Sequence, residues 1–95
     1  MTDQQKKDAA MMFRGLGNML LSGVPLFLAM DAAKADTADK KLADELQRIK
    51  DAISKREIPE AAWAFLPQSV QLIWRAGQVK DLDQCCLRIA EILGA

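Results

Sequence analysis

Sixteen consecutive residues without a charge, Gly15 to Met30, limit what this chain can fold into more than any other feature. They lie within a longer stretch, Met11 to Met30, that is apolar on every side when wound into a helix. Spacings of three and four place Ala9, Met12, Leu16, Met19, Gly23, Leu26 and Met30 on one seam. Phe13, Leu20 and Phe27 run beside that seam, and Leu21 and Leu28 lie further round. A helix of this kind has to be buried in protein or in lipid.

The leading expectation is a core helix wrapped by the other helices of its own domain. A transmembrane span competes, but 16 residues fall short of the ~20 that a bilayer core requires, and Asn18, Ser22, Pro25 and three glycines weaken it. A signal peptide cleaved near Ala33-Lys34-Ala35 is opposed by Asp3 and Asp8, which precede the apolar run. A helix lying on a membrane surface needs a thicker polar face than this one has.

Glycine and proline shape the stretch. Gly15, Gly17 and Gly23 each cost about 1 kcal/mol against alanine in a helix interior, which suggests close approach by a neighbouring backbone. Pro25 cannot donate to the carbonyl four residues back, so a kink or break is expected near Ser22 to Val24. Met11, Met12, Met19 and Met30 are four of the five methionines in the chain. Thioether side chains fill irregular gaps and re-pack readily, which suits a loosely specified core or an adaptable binding groove.

The chain has 95 residues, enough for one modest core, and 1–95 is expected to form a single helical domain. Thirteen basic and thirteen acidic side chains cancel. That balance argues against a dedicated nucleic-acid binder and leaves self-association unopposed by net charge. There is no histidine, and the two cysteines are adjacent. Nothing here requires an oxidising compartment, so a cytoplasmic location is expected, with membrane association as the runner-up.

Thr2 or Asp3 can cap the first helix. Asp31 to Thr37 reads as a connection, with Asp36 or Thr37 capping a second helix of about Ala38 to Lys55. Leu42, Leu46, Ile49 and Ile53 form its narrow apolar stripe, and Asp44 and Asp51 each stand four residues before a cation, Arg48 and Lys55. Ile58-Pro59-Glu60 predicts a short third helix ending at Leu66, before Pro67. Pro67 then opens a fourth helix that stops at Gly77. Across these two pieces Trp63, Leu66, Val70, Ile73 and Trp74 share one face, while Phe65 and Leu72 point nearly the other way. A last helix runs from an Asp81 cap to Leu93. Leu82, Cys85, Ile89, Ile92 and Leu93 share its inner face, Cys86 flanks them and Leu87 stands off-face.

Catalytic signatures are not found. Neighbouring cysteines on a helix diverge by about 100°, so Cys85 and Cys86 neither chelate one metal readily nor pair without strain. Both read as small buried hydrophobes. The serines Ser22, Ser54 and Ser69 stand in no nucleophile motif, and Gly15-x-Gly17 lacks the third glycine and the strand of a phosphate loop. No catalytic, cofactor or metal site is expected, and no motif names a family. A helix-turn-helix made of the third and fourth helices would read DNA with Gln68, Ser69, Gln71 and Arg75, yet Arg75 and Lys80 are almost its only cations.

These observations predict an all-α fold, a compact bundle of four to five helices around the methionine-rich N-terminal helix. The leading functional expectation is a non-catalytic adaptor, inhibitor or regulatory subunit, homodimeric or bound to another protein. Its docking face would carry Phe65 and Leu72, with Trp74 and Leu87 as further contacts. The alternative is a small membrane-associated protein anchored by residues 15–30. A helix-turn-helix DNA-binding regulator comes third.

Overall fold

The computed structural model describes residues 2–77 and 81–94. These form an all-α bundle of five helices: α1 (Asp3–Leu21), α2 (Leu26–Asp36), α3 (Lys40–Ser54), α4 (Gln68–Gly77) and α5 (Leu82–Gly94). With 19 residues, α1 is the longest of these helices. The helix serves as a common wall. α5 makes the most extensive contact with it, α2 packs on it too, α3 pairs with α2, and α4 pairs with α5.

Thr2 starts α1, its hydroxyl accepting from the Gln5 N–H at 3.1 Å. The helix ends where Ser22 caps it and Gly23 takes a φ of +89°. Gly23 N–H then donates to Leu20 O and Val24 N–H to Met19 O, the reciprocal pair of a left-handed helix stop. Pro25 stands just ahead of α2, where its missing N–H costs nothing. The expected break at Ser22 to Val24 is thus present.

The buried core takes Ala9, Ala10, Met12, Phe13 and Leu16 from α1 and Ala29, Met30 and Ala33 from α2. α3 adds Leu42, Leu46 and Ile49, and the C-terminal half adds Trp63, Leu66, Val70, Trp74, Cys86, Ile89, Ala90 and Leu93. The expected seam is only partly covered. Ala9, Met12, Leu16 and Met30 are buried, Met19 and Leu26 are half-buried, and Gly23 lies exposed in the break. Met11 and Leu28 remain 68% and 62% exposed, because the break turns α2 back along α1 and so each helix buries only one face.

Three boundaries differ from the sequence reading. Residues 31–36 continue α2, since alanine and lysine propagate a helix well. The Thr37 hydroxyl donates to Ala33 O at that helix's end, and Asp39, rather than Asp36 or Thr37, caps α3 by accepting from Leu42 N–H at 3.0 Å. The expected third helix does not form, and residues 55–67 run as turns, with Arg56, Ala61 and Trp63 all at positive φ. Groups on α3 bind the backbone that such a helix would have used: Trp63 N–H donates to Glu45 Oε2 at 2.7 Å, and Arg48 Nη2 donates to Glu60 O at 3.0 Å. Finally, α5 is rotated. Cys86, Ile89, Ala90 and Leu93 face inward, whereas Ile92 is exposed and Cys85 half-buried. Asp81, expected to cap this helix through its side chain, has a φ of +59° and offers its carbonyl to Cys85 N–H.

Candidate functional site

Tryptophans Trp63 and Trp74 meet Phe13 at the centre of the molecule. Phe13 stands edge-on to Trp63 at 4.9 Å and to Trp74 at 6.1 Å, and the two indoles meet at 5.6 Å. Edge-to-face pairs of this kind contribute about 0.5–1.5 kcal/mol beyond their buried area. Neither indole N–H finds an acceptor among the described residues.

This cluster separates the residues expected to form a docking face. Trp74 is 1% exposed and belongs to the core. Phe65 is half-buried, edge-on to Trp63 at 6.2 Å, and Lys41 Nζ sits 4.6 Å from its ring centroid. Leu87 is half-buried against Gly17, where an added Cβ would lie 2.9 Å from Leu87 Cγ. Leu72 alone of the four is open to solvent, at 54%. The fold therefore does not gather them onto one surface. It also removes the geometry of a helix-turn-helix, because the first of that motif's two helices, expected to end before Pro67, does not form and residues 55–67 run as turns. Lys80, counted among that motif's cations, lies outside the described residues.

Glu45 escaped the sequence reading. Its carboxylate holds Arg48 Nε at 2.7 Å and Arg48 Nη2 at 2.9 Å while accepting from Trp63 N–H. Burial pushes this carboxyl upward, and the Arg48 hydrogen bond, the Trp63 N–H and the Arg48 charge outweigh that push, so it titrates below its ordinary range. No local pattern marks Glu45, since its decisive partner is a backbone group 18 residues away. On the surface, Lys50 pairs with Asp31 at 2.7 Å and Lys34 donates to Gln47, the register of two antiparallel helices. Asp44 and Asp51, expected to pair with Arg48 and Lys55, do not; Arg48 takes Glu45 and Asp51 accepts from Gln47.

Cys86 is buried, and burial, reinforced by the neighbouring Cys85 and Asp83, pushes its thiol up to about 12. A thiol so poor in thiolate is inert near neutrality. Among the described residues no group of histidine, cysteine and carboxylate side chains is placed to hold a metal ion.

One hollow stands out by composition. A cavity of about 270 Å³ opens between α1 and the C-terminal end of α2, lined by Asp8, Met11, Met12, Gly15 and Met19 with Asp36 opposite. The methionine run, read as a loosely specified core or an adaptable groove, supplies Met12 and Met30 to the core and Met11, Met12 and Met19 to this lining.

A family model described as type II secretion system (T2SS), protein F, matches residues 12–95. No curated protein and no solved structure matches the chain. The family match overturns the expectation of a cytoplasmic adaptor, inhibitor or regulatory subunit, together with the intracellular setting that went with it. That location rested on the two adjacent cysteines, which call for no oxidising compartment, and cysteine usage says nothing about attachment to a membrane. The membrane-associated alternative fits the match better. Among the described residues no helix is long and apolar enough to cross a membrane, and the 15–30 segment is broken at Ser22 to Pro25.

Proposed function

Because the chain belongs to the family of type II secretion system protein F, we propose that it is a helical part of a membrane-associated secretion component, one that holds other proteins of the apparatus and performs no catalysis. The observation that carries this reading is the reach of the family match. Residues 12–95 take in the greater part of α1 and every other helix, so the match covers the packed core rather than a stray motif. A holding role is supported by the absence of histidine and by the lack of a nucleophile motif around any serine. It is supported too by a core that joins all five helices into one body able to present fixed surfaces.

The test is made in the cell that encodes the chain. A tagged copy, cross-linked before lysis, is expected to sediment with membranes and to carry cross-links to proteins of a secretion apparatus. Deletion of the gene is expected to leave exported proteins inside the cell. Recovery in the soluble fraction alone, with no such cross-link and unchanged export, overturns the reading.

A further inference from the structure

The cavity between α1 and the end of α2 has a chemistry that its neighbours do not neutralise. Among the described residues its only charged lining groups are Asp8 and Asp36. Asp8 accepts one hydrogen bond, from Gln4 Nε2 at 3.0 Å, and Asp36 is the last residue of α2. A helix C-terminus carries about half a negative charge on its open carbonyls, normally offset by a cation in the last turn. Lys34 is the only such cation here, and its Nζ is turned away to Gln47 on α3. Two carboxylates, one of them at a helix C-terminus, therefore line one hollow.

Its remaining surface is apolar and yielding. Met11, Met12 and Met19 supply thioethers, and Gly15 offers bare backbone, since a Cβ built there would meet nothing within 4 Å. The 270 Å³ of space is far too large for a bare ion. It fits one long side chain with its aliphatic stem against the methionines and its charge at the carboxylates.

We propose that this groove seats a lysine or arginine carried on an apolar segment of a protein partner. The proposal rests on the reading of the chain as a secretion component, because segments that flank membrane spans are the ones that join Lys and Arg to apolar residues.

The test uses the full chain and a fluorescein-labelled peptide of leucine, alanine and lysine, read by fluorescence anisotropy. A second peptide has glutamate in place of each lysine. The lysine peptide is expected to bind at least about tenfold more tightly than the glutamate peptide, with affinity falling as salt rises. Gly15→Leu fills the groove from a position with open space around it and is expected to abolish binding while helicity stays unchanged. Asp8→Asn with Asp36→Asn is expected to weaken binding about tenfold and to flatten the salt dependence. Equal binding of the two peptides, or binding untouched by both variants, overturns the proposal. The assay contains neither membrane nor secretion apparatus. It can therefore fail while the chain still sediments with membranes, and it can succeed while that reading fails.

Discussion

Gly15 and Gly17 stand two residues apart in the same helix and have opposite surroundings. A Cβ on Gly17 would lie 2.9 Å from Leu87 Cγ and 3.0 Å from the Asp83 carbonyl oxygen, and backbone cannot step aside as a side-chain tip can. A Cβ on Gly15 would meet nothing within 4 Å. Gly15→Ala is accordingly expected to stabilise the protein by about 0.5–1 kcal/mol through helix propensity. Gly17→Ala is expected to destabilise it by about 1–3 kcal/mol as α5 is pushed from α1. Urea denaturation of the two variants decides this, and equal shifts of the same sign would show that α5 does not lie against Gly17. The sequence marked both glycines as points of close approach, and only the tertiary neighbour tells them apart.

A second residue-scale prediction concerns acid. Glu45 titrates below its ordinary range in the folded chain, so its contribution to stability is complete above the unfolded value of ~4.3 and is lost as pH falls through the lower folded value. Asp31, held low by its hydrogen bond to Lys50, acts in the same direction. Glu45→Gln keeps an acceptor for Trp63 N–H but cannot titrate. Its stability is expected to fall less steeply than wild type below about pH 4.5. Parallel stability curves for the two proteins would remove Glu45 from the acid response.

At the scale of elements, α3 ends as α1 does but with an unsuitable residue. Arg56 N–H donates to Ile53 O and Glu57 N–H to Ala52 O. That pair repeats the helix stop made at Gly23, with Arg56 at a φ of 59° in the position glycine favours. A left-handed L-residue costs about 1–2 kcal/mol against its right-handed form, partly offset by the greater freedom of an unfolded glycine. Arg56→Gly is therefore expected to stabilise by about 0.5–1 kcal/mol, seen as a rise in Tm, and a fall would mean that Arg56 makes contacts that outweigh its backbone strain. Elements with local causes were legible in the sequence: the break at Gly23 and Pro25, the stripe of Leu42, Leu46 and Ile49, and the start at Pro67, while the expected stop at Gly77 borders residues outside those described. Residues 55–67 were not legible. Pro59 and Glu60 gave a helix start, yet Glu45 and Arg48, distant in sequence, bind the backbone of Glu60 and Trp63 instead. The inward face of α5 was missed for a related reason, since Cys86, Ile89, Ala90 and Leu93 are chosen by the core they join and not by the helix's own periodicity. The acidic groove was half-visible, as its methionines form a run, but Asp8 and Asp36 come together only because α2 folds back along α1.

The whole molecule depends on what α1 touches. α2 packs on it and carries α3, α5 packs on it and carries α4, and irregular residues 55–67 cross between the two pairs. Phe13 lies where all of this meets, fully buried and edge-on to Trp63 from the crossing segment and Trp74 from α4. A large-to-small change there removes apolar burial and leaves a cavity that three elements border, at a cost of about 3–5 kcal/mol. Domains of this size are stable by only about 5–15 kcal/mol, so Phe13→Ala is expected to remove a large share of the total and to lower Tm by more than about 12 °C. Leu28→Ala, on the same apolar stretch but facing solvent, is expected to change stability by no more than about 0.5 kcal/mol. Circular dichroism reports all five helices, whereas tryptophan fluorescence reports only the cluster of Trp63 and Trp74. If α1 is the wall that couples both helix pairs, the two signals of Phe13→Ala shift together to lower urea. Fluorescence moving alone would mean that α2 and α3 hold to α1 independently of the aromatic cluster, and the bundle would then be two weakly joined halves.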